Sequence, residues 1–319
     1  MSTPQYAFKP ATREAVGLLL GLIGQSGSGK TFSAMRIASG IVGPSGKFAV
    51  IDTEARRALH YADKFSFDYC ELSAPFTPEK YADAIHAADQ AGYKAIVVDS
   101  VSHEWAGEGG VLDWQEEELT RMAGDDWKKR ESCKMAAWIK PKMSHKKMVQ
   151  RLLQVKAHLI LCFRAEDKVK MEKDDKGKMQ IVPIGLQPIC SKEMPYELTA
   201  SFLLNSEKPG IPVPLKLQEQ HKAMFPPNTL LDEKSGTLIS EWAKGGATPQ
   251  GHQNPEYSMA AEANTFNTKC STIGLSTDEI KAFKNWLFKE KPTAADIHAV
   301  NEAFTDKFDE WVESQKSGE

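Results

Sequence analysis

The stretch from Leu18 to Ile41, LLLGLIGQSGSGKTFSAMRIASGI, leaves this chain few ways to fold. Its opening is an apolar run that stops at Gly24, and its end places Phe32, Met35, Ile37, Ala38 and Ile41 at helical spacing. Between them Gly24, Gly29, Lys30 and Thr31 fill the fixed positions of G-x-x-x-x-G-K-T. A buried strand must therefore turn through glycines straight into a helix. The turn aims successive backbone N–H groups and the first helical amides at one point, which makes it a cradle for phosphate. The residues expected around that phosphate are Gly24, Gln25, Ser26, Gly27, Ser28, Gly29, Lys30, Thr31 and Phe32. Lys30 can lie along the outer phosphate oxygens, and the Thr31 hydroxyl is placed to ligate Mg²⁺.

Strand-like and helical stretches alternate after this turn, the pattern of an α/β domain with a mostly parallel central sheet flanked by helices. Lys47 to Asp52 reads as the second strand and ends in Asp52-Thr53-Glu54. If it lies beside the first strand, those carboxylates face the nucleotide crevice. A helical segment is expected over residues 55–65, a short strand over 67–72 and a helix over 79–91. Tyr93 to Ser100, YKAIVVDS, is a fully apolar strand closed by an aspartate, as expected of a strand covered on both faces. Asp99 is then the second half of the magnesium site, holding a water of the ion that Thr31 ligates. Ala157 to Phe163 forms the next buried strand, with Arg164 just past its end. Arg164 can contact the outermost phosphate, or it can belong to a surface salt-bridge cluster with Glu166, Asp167 and Lys168.

Hydrolysis needs a group that orients or deprotonates water. Glu54 is the favoured candidate, within reach of the outermost phosphate through one water. Asp52 competes with it, although two residues earlier it can serve instead to hold the loop. Lys168 to Lys178 reads as a charged hairpin or a mobile turn, Thr199 to Leu204 as another strand, and Val213 to Leu217 as an edge strand bracketed by prolines.

The net charge of −3 gives no support for binding a polyanion, but its distribution can steer a polyanion, or a neighbouring subunit's acidic face, to one side of the molecule. Glu108 to Asp126 carries seven acidic residues against Arg121, and Trp127 to Arg151 carries nine basic residues against Glu131. Within the basic tract Lys128, Lys129, Arg130, Lys140, Lys142, Lys146 and Lys147 are candidate DNA contacts. The whole segment 104–156 reads as a charged helical insertion, with a break expected at Pro141; Trp114 and Trp138 are read as packing its helices on the sheet.

The first domain is expected to span residues 1–244, followed by a polar linker at 245–270 and a small helical region at 271–319. One helix there starts at Ser276, and another runs through Ile297, Val300, Phe304, Phe308 and Trp311. Five scattered cysteines without a C-x-x-C pair argue against a disulfide framework or a zinc site. The N-terminal residues lack an export pattern, and no apolar run reaches the roughly 20 residues that cross a bilayer. A cytoplasmic setting and no membrane partner are therefore expected.

FAVIDTEARRALHYADKF at Phe48 to Phe65 and IVVDS at Ile96 to Ser100 resemble the ATPase core of the RecA/Rad51 superfamily. With GLQPICSKEMPYELTASFLL at Gly185 to Leu204, the chain resembles more closely the phage-encoded, RecA-like AAA ATPases associated with single-strand annealing proteins, the Sak4-like group. The resemblance implies a RecA-like P-loop NTPase core over residues about 15–242, ATP and Mg²⁺ as cofactors, and Glu54 as the water-activating residue. It places Lys30 and Thr31 on the nucleotide and Asp99 on the metal. It also implies work on single-stranded DNA in recombination, in the host cytoplasm, as a homo-oligomer, alongside an annealing or replication protein. Two readings stay open: a DNA-dependent ATPase, and an ATP-driven switch acting on a protein partner. A small-molecule kinase is disfavoured, because no acceptor pocket or lid motif is evident.

Overall fold

The computed structural model describes residues 17–173, 177–245, 259–288 and 291–316. Contacts divide the described residues into two compact units, 17–245 and 259–316.

Among the described residues of the larger unit, eight strands form one sheet: β1 (Leu19–Gly24), β2 (Phe48–Asp52), β3 (Phe67–Glu71), β4 (Ala95–Asp99), β5 (His158–Lys173), β6 (Met179–Pro188), β7 (Ala200–Leu204) and β8 (Pro212–Lys216). Their order is β3-β2-β4-β5-β1-β7-β8, with β6 paired to β5. The run from β3 to β7 is parallel, and β6 and β8 are antiparallel additions. The expectation that β2 lies beside β1 is corrected here, since β4 and β5 stand between them. Each strand of the centre is apolar on both faces, so local pattern leaves their lateral order open.

The helices of this unit are α1 (Lys30–Val42), α2 (Pro78–Gln90), α3 (Ser102–Ala106), α4 (Val111–Ala123), α5 (Trp127–Ala137), α6 (Ile139–Leu152), α7 (Met194–Glu197) and α8 (Glu233–Ala243). Period-2 alternation in β1 sends Leu20 and Leu22 to one face, where they meet Met35 and Ile37 of α1 and Ile239 of α8. Leu19 and Ile23 go to the other face, with Tyr81 and Ile85 of α2 and Met148 and Leu152 of α6. Gly40 and Gly236 let α1 and α8 touch backbone to backbone, because a Cβ on either would collide with a carbonyl oxygen of the other helix. Arg36 locks the crossing by a bidentate pair to Glu233, with contacts of 2.6–2.9 Å.

Several boundaries differ from the sequence reading. Within 55–65 only a 3₁₀ turn forms, Arg57–Tyr61. The insertion breaks at Trp138 rather than at Pro141, which sits in the first turn of α6 where a missing N–H leaves no bond unmade. β5 continues past the sheet to Lys173 and pairs with β6 as the expected hairpin, whose tip at 174–176 lies outside the described residues.

The smaller unit contains α9 (Met259–Thr272), α10 (Thr277–Leu287), α11 (Ala294–Glu302) and α12 (Phe304–Lys316) around Phe266, Phe283, Phe304 and Trp311. Helix α9 begins inside the stretch read as linker, and the helix read through Ile297 and Trp311 is two helices parted at Ala303. Capping boxes at Ser276/Glu279 and Thr293/Asp296 start α10 and α11. Among the described residues no helix is long and apolar enough to cross a membrane.

His158, at the start of β5, is buried, and its Nδ1 accepts the Leu18 N–H at 3.1 Å. Burial pushes its pKa down to about 4 from an ordinary 6.5. As pH falls through that window the unfolded chain takes up a proton that the folded chain refuses, so stability is full above the window and is lost on acidification. The loss should be on the order of 3 kcal/mol between about pH 6.5 and 4. Urea unfolding of wild type and His158→Gln across this range should show a shallower pH dependence in the variant; parallel curves would refute the assignment.

Candidate active site

The ends of β1, β2 and β4 reach one edge of the sheet, where β5 runs on beyond them. The register pairs Gly24 with Arg164, Cys162 with Asp99, and Asp99 with Asp52. Because the strands are parallel, their carboxyl ends open a crevice there. It holds a cleft of about 540 Å³ lined by Gln25, Ser26, Gly27, Gly29, Lys30, Thr31, Glu54, Asp99 and Arg164, with Phe32, Arg57, Tyr61, Ala165 and Ile189. Gly24 and Ser28, also expected on the phosphate, lie behind this lining.

The loop from Gly24 to Lys30 has the shape its glycines permit. Gly27 and Gly29 take φ of 80° and 86°, in the left-handed region that side chains disfavour. Among the described residues nothing stands within 4 Å of where a Cβ on Gly27 would be, and Gly27 lines the cleft. Among the described residues Ser28 Oγ, buried inside the loop, has no hydrogen-bond partner. Lys30 Nζ donates to the Gln25 carbonyl at 2.8 Å, which folds the ammonium across the loop mouth. Thr31 Oγ1 donates to Asp99 Oδ2 at 2.5 Å, so the first turn of α1 meets the end of β4 across β5.

Asp99 is buried. Burial pushes its pKa up to about 6 against the Thr31 hydrogen bond, with Glu54 adding to the rise, Lys30 opposing it and Asp52 adding further. A dry carboxylate beside a threonine hydroxyl and an anion cradle suits a hard divalent cation. The donor set therefore fits Mg²⁺ with a phosphorylated ligand.

Asp52 and Glu54 separate in role by geometry. Asp52 accepts the Glu54 N–H at 2.6 Å and the Ala58 N–H at 3.0 Å, so both its oxygens bind the loop after β2. The same loop carries the Glu54 carboxylate into the cleft. There Glu54 meets three bases: Arg57 at 3.6 Å, His103 at 3.8 Å and Arg164 at 4.0 Å.

Residues 17–224 match the family described as AAA domain. The chain belongs to that family. No curated protein matches it. The AAA domain therefore has the RecA-like P-loop NTPase architecture, a mostly parallel sheet flanked by helices, with further helices on its C-terminal side. Nucleotide binding comes with that fold.

Sequence reasoning missed His103, Arg57 and Tyr61. Tyr61 and Phe32 have ring centroids 5.6 Å apart and form the aromatic end of the cleft. Arg57 and Tyr61 follow Glu54 at three and seven residues, and that offset along one turn was the available signal. The charged insertion also differs from its linear reading. Acidic α4 packs on α5 and α6, where Arg130 pairs with Glu116, and Lys140 with Glu118 at 3.0 Å. Lys128, Lys129, Lys142, Lys146 and Lys147 remain exposed and make no ion pair among the described residues. A buried chain of hydrogen bonds fixes α6: Glu104 to His145 Nδ1 at 2.9 Å, and His145 Nε2 to Ser191 Oγ at 2.8 Å. Trp105 stacks on Trp138 at 6.1 Å beside it, so Trp138 packs chiefly on another tryptophan of the insertion.

Gly29→Ala should cost about 1–2 kcal/mol of stability from its positive φ. It should also weaken binding of an ATP analogue at least ten-fold, since a Cβ there would stand 3.0 Å from the Gly210 nitrogen and move the loop. Equal affinity in wild type and variant would show that the loop does not hold the phosphates.

Proposed function

We propose that the AAA domain hydrolyses ATP with Mg²⁺ and couples this to single-stranded DNA, as a member of the phage-type, Sak4-like recombination ATPases. The observation that carries the ATPase part is the Thr31–Asp99 contact beneath a glycine cradle, with the Glu54 carboxylate facing the same cleft. In this reading the loop amides and Lys30 bind the phosphates. Thr31 and Asp99 hold the metal, which supplies charge neutralisation on the triphosphate. Glu54 orients the attacking water and takes its proton, Arg164 faces the outermost phosphate, and Phe32 and Tyr61 offer rings for the base.

The DNA part rests on the five lysines of α5 and α6 that make no ion pair among the described residues. Trp127, 72% exposed, sits among them with Lys128 Nζ 5.6 Å from its ring. Lysines can track phosphates while an exposed ring stacks on a base. A second reading, an ATP-driven switch on a protein partner or a second copy of the chain, is favoured by the β5–β6 hairpin. Paired positions share one face, so Val169, Met171, Ile181 and Pro183 lie together on it, all exposed. An annealing or replication protein, or a homo-oligomer, would cover such a face.

Steady-state ATP turnover with and without single-stranded DNA distinguishes the two. Lys30→Ala and Glu54→Gln should each lower turnover at least about a hundred-fold, the range of a lost general base. Reversing charge at Lys146 and Lys147 should abolish stimulation by DNA and leave DNA-free turnover intact. Turnover indifferent to DNA at every salt concentration would replace the DNA reading with the protein-partner one.

A further inference from the structure

We propose that His103 is a positioning residue that, as a neutral imidazole, holds Arg164 beside Glu54 and, on gaining a proton, takes Glu54 out of service. The inference rests on the ATPase reading of the cleft and adds a residue that reading does not require.

Hydrogen positions around His103 follow from its partners. Thr53 Oγ1 accepts the Ser100 N–H at 2.9 Å and donates its single hydrogen to the Ser100 carbonyl at 3.1 Å. Arg164 Nη1, 3.3 Å from His103 Nε2, can only donate, so Nε2 is the acceptor and in the neutral ring Nδ1 carries the hydrogen and donates to Thr53 Oγ1 at 2.8 Å. Phe76 stacks on the imidazole at 5.1 Å and 30°, which fixes its plane.

The same Nε2 lies 3.8 Å from Glu54 Oε1, and Arg164 Nε lies 4.0 Å from that oxygen. One carboxylate oxygen is thus flanked by an arginine and by the imidazole that holds the arginine. Protonation would turn Nε2 from acceptor to donor. It would cancel the Arg164 hydrogen bond, set a second cation against the guanidinium and give Glu54 a direct ion pair. A carboxylate so paired is a poorer base for water. The charged groups facing His103 are Glu54 from the loop after β2 and Arg164 from within β5; Thr53 and Phe76 are neutral. Glu104, next in sequence, is turned to His145. Burial lowers the pKa of His103, Glu54 works against that fall and Arg164 reinforces it, so the ring is neutral at neutral pH.

Two arms test this on the full chain. The first is imidazole ¹⁵N NMR of the nucleotide-free protein. The neutral ring should carry its proton on Nδ1, Glu54→Gln should lower its titration midpoint, and Arg164→Gln should raise it. An Nε2–H tautomer, or a midpoint that neither variant moves, overturns the arrangement. The second is the pH profile of ATP turnover. Wild type should lose activity on acidification as His103 protonates, and His103→Gln, which keeps a neutral acceptor, should shift that limb at least half a pH unit lower. His103→Gln should also turn over about ten-fold faster than His103→Ala at pH 7.5. An unmoved limb, or equal rates for the two variants, overturns the positioning role. Absence of ATP turnover in wild type overturns the ATPase reading and the kinetic role with it, while the NMR arm still decides whether His103 holds Arg164.

Discussion

The hydrogen bond from Thr31 to Asp99 is the contact on which the rest of the cleft depends. It joins the first turn of α1 to the end of β4, a strand whose Ala95 and Val97 share one core with α1. For it to form, β1, β5 and β4 must lie parallel and in register, with Gly24 beside Arg164 and Asp99 beside Cys162. The burial that secures this register also dries the Asp99 carboxylate. A dry anion beside a hydroxyl and a ring of amides is a poor resting place for water and a good one for a cation bound to phosphate. Packing and site chemistry thus have one cause.

Everything that follows directly from local pattern was legible in the sequence. An apolar run, three glycines and a helix dictate the loop. An aspartate closing a buried strand marks Asp99. Glu54 was legible for the same reason, as a carboxylate just past a strand end, and Asp52 both as its competitor and as a residue that can hold the loop, which it does through the Glu54 and Ala58 N–H groups.

The parts that were not legible depend on long-range placement. Uniformly apolar strands carry no mark of their neighbours, so the separation of β2 from β1 by two strands was hidden. A lone histidine in a helix-compatible stretch has no periodic signal, and His103 gains meaning only where Arg164 of β5 reaches it. Charge counted along the chain missed that α4 folds back on α5 and α6 and neutralises Arg130 and Lys140. Short helices α3 to α6 then gain their fixed orientation from buried polar contacts such as Glu104–His145–Ser191, which no spacing rule reveals. Satisfied on both ring nitrogens, that histidine specifies one packing of the insertion.

The most direct test is calorimetric titration of ATP into wild type and Asp99→Asn, each with and without Mg²⁺. Wild type should bind one ATP per chain, more tightly with magnesium than without, and Asp99→Asn should lose most of that magnesium dependence. Binding equally tight with and without the ion in wild type, or an undiminished magnesium effect in the variant, would contradict the assignment of the Thr31–Asp99 pair as the metal seat.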